Sequence, residues 1–411
     1  MTEQFETIII GAGFGGLSAA QTLGKKKRET LVIDKKNHHL FQPLLYQVAT
    51  AGLSPSNIAT PIREVLKKYS SVSVVMDEVL DIDLDKKTIA TANGHQYKYE
   101  NLVIAAGARH SYFGNNEWEK YAPGLKTIED ALKIRENMLT NFEKSEQETD
   151  YIKQTALTTF VVIGGGPTGV EMAGAIAEIA KKTLTKNFSN IDPSKSKIFL
   201  LEGGNRLLAA FDKKLSAHAK KDLEQLGVDV RLESRVTKID DSGVYIGDEY
   251  IPTVNIIWAA GNQTNPIVAG LDVKKDPMNR VIVDKDCAIP AYPQVFVIGD
   301  AAAYETTNGH LPSLAPVATQ QGKYISNIII KKLKKGKRDS FEYLDKGSMA
   351  TIGKSKAIAQ FKNIRISGTI AWILWLAVHL LFLVLFRSKV SILFSWIYNY
   401  FTERRGVRII K

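Results

Sequence analysis

A chain of 411 residues with 45% hydrophobic and 24% charged side chains has the makings of a folded protein large enough for two nucleotide-sized domains and an appendage, so disorder is not the default. Its net charge of +11, from 54 Lys and Arg against 43 Asp and Glu, suits nucleic acid, an anionic membrane or plain solubility and chooses among none of them. The single cysteine, Cys287, excludes an internal disulfide, a C-x-x-C redox pair and a cysteine-built iron–sulfur cluster, and 7 His without ligand spacing predict no metal site, so redox chemistry falls to an organic cofactor.

The first predicted strand covers 5–10, too early to leave room for a signal or transit peptide. It runs into the turn Gly11, Ala12, Gly13, Phe14, Gly15, Gly16, then a helix, then a strand over 30–33 closing on Asp34. A strand ending in G-x-G-x-x-G, with an acid about 20 positions on, offers a helix N-terminus to a pyrophosphate and a carboxylate to a ribose. Gly11 makes the turn, Gly13 admits the phosphate, and Gly16 lets helix and strand pack closely. From Lys35 to Gly52 the chain is apolar without clean periodicity and Pro43 interrupts it, which predicts a buried connection carrying Gln42. A helix over 56–69 and strands over 72–79, 87–92 and 96–99 follow, with Asn93-Gly94 as a hairpin turn. The buried strand 101–108 ends in Ala106-Gly107, small residues that permit a ligand close to the backbone.

A charged helix over 126–148 leads into a second copy of the pattern. Its strand is 160–163, its turn Gly164 to Gly169 with Gly166 at the phosphate position, its helix 170–182, and its second strand 198–201 ends at Glu202. Glu171, expected on the first turn of that helix, either complements the positive helix end or faces the nicotinamide and flavin. A carboxylate at Glu202 suits ribose hydroxyls and repels a 2′-phosphate, which favours NADH over NADPH. The strand 255–261 ends in Ala260-Gly261, matching Ala106-Gly107. A strand over 295–298 then reaches Gly299-Asp300, with Ala301, Ala302 and Ala303 opening a helix; Asp300 accepts a ribityl or ribose hydroxyl, or caps that helix. Beyond it, Ala318 and the pair Gln320-Gln321 are either handles in an apolar cleft or solvent-facing helix positions. Two nucleotide-binding units in one chain imply two redox nucleotides and electron transfer between them.

Residues 366–386 are nearly free of charge and long enough to cross a bilayer. Trp372, Trp375, His379, Phe382 and Phe386 recur at helical spacing as one aromatic face, with Arg387 and Lys389 directly after. Over 391–401, Ser391, Ser395 and Asn399 form a polar stripe, and Arg404, Arg405, Arg408 and Lys411 close the chain. A single span, a buried helix and a pair of helices lying in the membrane interface all fit; amphipathicity and flanking cations favour the last.

Together these residues resemble the type II NADH:quinone oxidoreductases, single-subunit NADH dehydrogenases that do not pump protons. The resemblance spans nearly the whole chain. It rests on the two glycine turns, on H-H-L-F-Q-P-L-L-Y-Q-V-A-T at 38–50, on G-D-A at 299–301, on A-x-x-A-x-Q-Q-G at 315–322 and on the hydrophobic tail. It implies an α/β fold of two Rossmann-like nucleotide-binding domains, of the glutathione-reductase-like kind, with a C-terminal helical membrane-anchoring segment. The implied division is 1–115 and 276–340 for FAD, 116–275 for NADH, and 341–411 for the anchor. FAD, bound non-covalently, falls to Gly11, Gly13, Phe14, Gly15, Gly16, Asp34, Lys35, Gln42, Ala106, Gly107, Gly299, Asp300 and Ala318. NADH falls to Gly164, Gly166, Gly169, Glu171, Glu202, Ala260 and Gly261. Glu171, Gln320 and Gln321 are the implied catalytic residues, the glutamines beside the head group of a membrane quinone, menaquinone or ubiquinone. A homodimer anchored as a monotopic protein on the cytoplasmic face of the cell membrane completes the picture, with no nucleic acid partner. Rival functions are a sulfide:quinone oxidoreductase, which would need a cysteine pair that one Cys287 cannot make, a soluble NADH-dependent reductase of a protein acceptor, and a non-enzymatic nucleotide sensor.

Overall fold

The computed structural model describes residues 3–307, 309–402 and 405–410; Arg404 and Lys411 lie outside the described residues. The chain divides into two compact units. One comprises the chain up to Leu40, Ala59–Arg109 and Asn262–Asp345, and the other comprises Phe41–Ile58, His110–Gly261 and the chain from Lys346 on. The two units change over after residues 109 and 261, near the expected 115 and 275, and the chain from Lys346 on packs with the second unit. Residues 41–58 move to the second unit because the short helix Leu45–Ala49 packs on the helix Ile128–Gln147.

The first unit is built on an eight-stranded sheet whose parallel core runs Tyr292–Val297, Gln96–Ile104, Glu3–Ile10, Thr30–Asp34, Val72–Met76. The strands Glu3–Ile10 and Thr30–Asp34 and the end of Gln96–Ile104 bury consecutive apolar residues, as a parallel sheet covered by helices requires. The predicted strands 96–99 and 101–108 are one continuous strand, Gln96–Ile104. The helix expected over 56–69 is two short helices, Pro55–Ile58 and Ile62–Leu66, separated by the strand Ala59–Pro61. That strand pairs antiparallel with His38–Leu40, so a tertiary partner overrides local helical spacing. After Gly299-Asp300 the chain makes one 3-10 turn, Gly299–Ala301, and then a two-residue strand, Ala302–Ala303, in place of the expected helix.

The second unit repeats the parallel arrangement in four strands, Asp229–Arg231, Lys197–Leu201, Thr159–Ile163 and Asn255–Trp258. Its glycine-turn helix, Pro167–Glu178, ends in a π turn over Ile179–Thr183. A three-stranded antiparallel sheet, Ser348–Gly353, Lys356–Phe361 and Ile364–Ser367, was not legible in the sequence. Its first strand packs on the helix Pro167–Glu178 so closely that a Cβ at Gly174 would collide with the Ile352 carbonyl oxygen. The apolar run 366–386 then splits into the helices Thr369–Phe382 and Phe386–Thr402. Among the described residues no helix is long and apolar enough to cross a membrane, which removes the single span.

Both glycine turns have the same backbone. Gly11 and Gly164 sit at φ of +94° and +111°, a region that side chains with a Cβ rarely enter. A Cβ on Gly16 would collide with the Gly11 carbonyl oxygen, and one on Gly169 with that of Gly164. Nothing lies within 4 Å of a Cβ on Gly13 or Gly166. Gly16→Ala is therefore expected to destabilise the protein by about 1–3 kcal/mol, whereas Gly13→Ala changes the stability of the apoprotein by less than about 0.5 kcal/mol. Denaturant unfolding of the two variants checks this, and equal losses would contradict it.

Candidate functional site

In the first unit, Asp34 ends its strand with both carboxylate oxygens engaged. One accepts from the Ala12 N–H at 2.6 Å and the other from the Lys36 N–H at 2.8 Å. The Ala12 carbonyl accepts from Nδ1 of the buried His39 at 2.9 Å. A carbonyl cannot donate, so Nδ1 carries the proton and the Nε2 of His39 is an acceptor. That position belongs to the H-H pair, to which no role was assigned from sequence. The second unit has the same device: Glu202 accepts from the Gly165 N–H and the Gly204 N–H, each at 2.6 Å, and the Gly165 carbonyl accepts from the Leu208 N–H at 2.8 Å. Lys35 pairs with Glu78 at 3.6 Å on the surface. Phe14 packs edge-on against His39 with ring centroids 5.1 Å apart.

The helix Ala315–Ile330 crosses the glycine turn of the first unit. A Cβ on Gly15 would press on the Ala318 carbonyl and one on Gly322 would meet the Gly15 carbonyl. Gly299 takes φ of +68° with Ala318 beside it. Gln321 is 1% exposed, and its Oε1 accepts from the Gly299 N–H at 2.7 Å. It is a strut under Gly299-Asp300, not a solvent-facing position. Gln320 is half-buried and pairs twice with the Leu344 backbone, donating to its carbonyl at 2.9 Å and accepting from its N–H at 3.0 Å.

The small-residue strand ends differ. At Gly107 there is open space, but a Cβ on Gly261 would meet the Phe113 ring and the Ser111 carbonyl. Gln42 lies in the second unit, exposed, and donates to the Lys126 carbonyl at 3.1 Å. Arg206 spends its guanidinium on the Phe211 and Ala209 carbonyls.

The second unit contains an open cavity of about 140 Å³ whose walls include Tyr46, Gln47, Glu171, Trp372, Trp375 and Trp396. These come from the helices Leu45–Ala49 and Pro167–Glu178 and from the C-terminal helix pair. Glu171 is the fifth residue of its helix, a turn further in than expected, so it does not complement the helix end. Burial pushes its carboxyl up to about 8, against the weak opposing effect of the Thr351 N–H at 3.5 Å. The aromatic stripe expected from Trp372 to Phe386 breaks after His379: Trp372 and Trp375 line the cavity, His379 stacks on Trp375 at 4.0 Å, and Phe382 and Phe386 are exposed. Arg405 reaches in from the tail, donating to the Thr50 carbonyl at 2.7 Å and pairing with Glu178 at 3.1 Å. Tyr46, Trp396 and Arg405 were not legible as wall residues, because they lie far apart in the chain and meet only on folding. Among the described residues no His, Cys, Asp and Glu cluster could hold a metal.

The donor set and the open backbone suit two dinucleotides: each turn leaves N–H groups at the start of a 12-residue helix beside a glycine with nothing in front of it. Comparison with known proteins points the same way. Residues 5–322 match the pyridine nucleotide-disulphide oxidoreductase family, and residues 346–405 match the NDH2 C-terminal domain. The type II NADH:quinone oxidoreductase Ndh of Mycobacterium tuberculosis is 41% identical over 414 residues, covering 97% of this chain and 89% of that one. The solved structure of NDH2 from Plasmodium falciparum in complex with NADH superimposes with a TM-score of 0.89 at 22% identity, covering 100% of both chains. The sulfide:quinone oxidoreductase of Aquifex aeolicus shares the fold at a TM-score of 0.75 and 18% identity, over 98% of this chain and 96% of that one.

A carboxyl raised from 4.5 to about 8 keeps, in the folded protein, a proton that the unfolded chain has released. Its stability contribution is therefore lost as pH rises from about 4.5 towards 8. Glu171→Gln should match the wild-type melting temperature at about pH 5 and exceed it at about pH 9. Calorimetry of the two apoproteins at both pH values checks the sign.

Proposed function

The chain belongs to the type II NADH:quinone oxidoreductases, and on that premise we propose how its residues share the work. It oxidises NADH and reduces a membrane quinone to quinol without pumping protons. FAD, bound non-covalently, supplies the hydride acceptor and the two-electron donor. The first glycine turn, clamped by Asp34 and His39, holds the FAD pyrophosphate, with Asp300 and the Gln321-braced Gly299 at a second edge of the same unit. The second turn, clamped by Glu202, holds NADH. With Arg206 committed to backbone carbonyls, the carboxylate of Glu202 sets the preference against a 2′-phosphate.

The aromatic cavity takes the quinone head group. The observation that carries this is its size and lining: about 140 Å³ walled by three indoles, with a carboxyl that stays protonated at neutral pH. Forming a quinol requires two protons as well as two electrons, and Glu171 is placed to hold one of them at the wall of the cavity. Of the paired glutamines, Gln321 serves the flavin cradle, and Gln320 remains the candidate for the quinone side.

The C-terminal helices bring the enzyme to its lipid-soluble substrate. In the helix Phe386–Thr402 the polar stripe faces the protein: Ser391 accepts from Asn57 at 2.7 Å, and Asn399 donates to the Gly52 carbonyl at 3.1 Å. Phe386, Phe394 and Phe401 are 80%, 67% and 79% exposed. A helix with its polar face docked and its apolar face outward is built to lie in a membrane interface, and Arg387 and Lys389 add attraction to anionic headgroups. We place the enzyme there as a homodimer on the cytoplasmic side, where NADH is available.

Anaerobic mixing with NADH should bleach the flavin absorbance, and adding a short-chain quinone should restore it; failure of the second step alone would refute the quinone function. Gln320→Ala should slow the reoxidation by roughly tenfold or more while the bleaching rate keeps its wild-type value, and equal losses in both steps would remove Gln320 from the quinone side. Replacing Phe386, Phe394 and Phe401 together by Ser should release the protein from anionic vesicles in a flotation assay; unchanged flotation would remove this face as the anchor.

A further inference from the structure

The cavity wall contains a chain of hydrogen bonds that runs in one direction. The Trp396 indole N–H donates to Gln47 Oε1 at 2.8 Å. An indole nitrogen has nothing but a proton to offer, so the Gln47 amide is oriented with its oxygen towards Trp396. Its NH2 group therefore faces the Tyr46 hydroxyl, 2.8 Å away, and donates to it. The Tyr46 oxygen accepts, and its own proton points elsewhere. Among the described residues that proton meets no acceptor. Tyr46 is buried, and burial followed by the nearby Glu171 holds its phenol well above the ordinary value, so the proton is always present.

Trp375 adds an independent observation. It is 1% exposed, lines the same cavity, and its indole N–H is buried without an acceptor. A buried donor left unpaired costs about 1–3 kcal/mol, and Tyr46 and Trp375 each bring one such donor to the residues that wall this cavity. The missing group must be an acceptor. At about 140 Å³ the space is close to the roughly 150 Å³ cavity that admits a benzene ring, so it has room for one flat ring bearing carbonyl oxygens.

We propose that Tyr46 donates its hydroxyl proton in a hydrogen bond to a ring carbonyl of the bound quinone, and that Gln47 and Trp396 are positioning residues that fix the direction of that donation. This rests on the cavity being the quinone site. Walls made of donors hold an oxidised quinone, whose oxygens purely accept, in preference to a quinol, whose oxygens carry protons of their own. The asymmetry favours release of product.

The test is calorimetric titration of the full-length, FAD-loaded protein in detergent with duroquinone, and with durene as the same ring without carbonyls. Tyr46→Phe should weaken duroquinone binding about tenfold, the worth of one hydrogen bond, and leave durene binding unchanged. Trp396→Phe should cause a similar loss, because the freed Gln47 amide turns over and captures the Tyr46 proton. The double variant should bind no more weakly than either single one, since both remove the same interaction. Additive losses, or an equal loss for durene, would overturn the proposal. A cavity-filling Ala175→Leu, with Ala175→Val as the milder replacement and melting temperature as the check on folding, separates the two levels. If filling abolishes duroquinone binding while Tyr46→Phe does not weaken it, the cavity stands and the Tyr46 assignment falls. If filling changes nothing, the cavity is not the quinone site and both fall.

Discussion

Each glycine turn depends on one residue whose N–H and carbonyl are both gripped. In the first unit the Ala12 N–H is held by Asp34 and its carbonyl by His39; in the second the Gly165 N–H is held by Glu202 and its carbonyl by the Leu208 N–H. Fixing the two peptide planes that meet at that residue fixes the direction of the N–H groups that follow at the helix start, and these are what an anion meets. Carboxylate acceptors are the strong choice for the grip, because a charged partner roughly doubles the hydrogen bond. The two units reach the same geometry with a histidine in one case and a backbone amide in the other, so the constraint lies in the turn and not in the identity of every residue around it.

The parts of the fold that local sterics decide could be read from the sequence. Gly11 must accept positive φ and Gly16 must lie against a carbonyl oxygen, so no other residue fits and the motif is a physical signature. The parts decided by long-range partners could not. Residues 56–69 carry helical spacing, but Ala59–Pro61 is drawn into pairing with His38–Leu40. The sheet after Lys346 consists of strands of six, six and four residues, too short to stand out beside an apolar run. The cavity was the least legible feature, since Tyr46, Glu171, Trp375 and Trp396 meet only once three separate segments of the second unit have packed. Gln321 was visible as a polar residue among small apolar ones, but its acceptor role towards Gly299 depends on how the helix Ala315–Ile330 packs against the end of the strand Tyr292–Val297.

The tail is fastened by the ion pair between Arg405 and Glu178. Arg405 bonds the Thr50 carbonyl and Glu178, and Glu178 also accepts from the Lys354 N–H. A sheltered ion pair contributes little net stability, because desolvation offsets the attraction. Its demand for a full set of partners instead specifies one arrangement: the end of the helix Pro167–Glu178, the loop at Thr50 and the tail must all be present for either charge to be satisfied. Three of the segments that wall the cavity are thereby held to one another.

Gly174 has a similar reach from a different cause. With no side chain there, the helix Pro167–Glu178 lies directly on the Ile352 carbonyl, one residue from the Thr351 N–H that faces Glu171. A methyl group inserted at this seam would wedge strand from helix and admit solvent to a carboxyl whose proton affinity is set by exclusion of water. The acid's working pH is therefore governed in part from a position that never touches it, and drift at that one seam could retune the enzyme while every wall residue stayed the same.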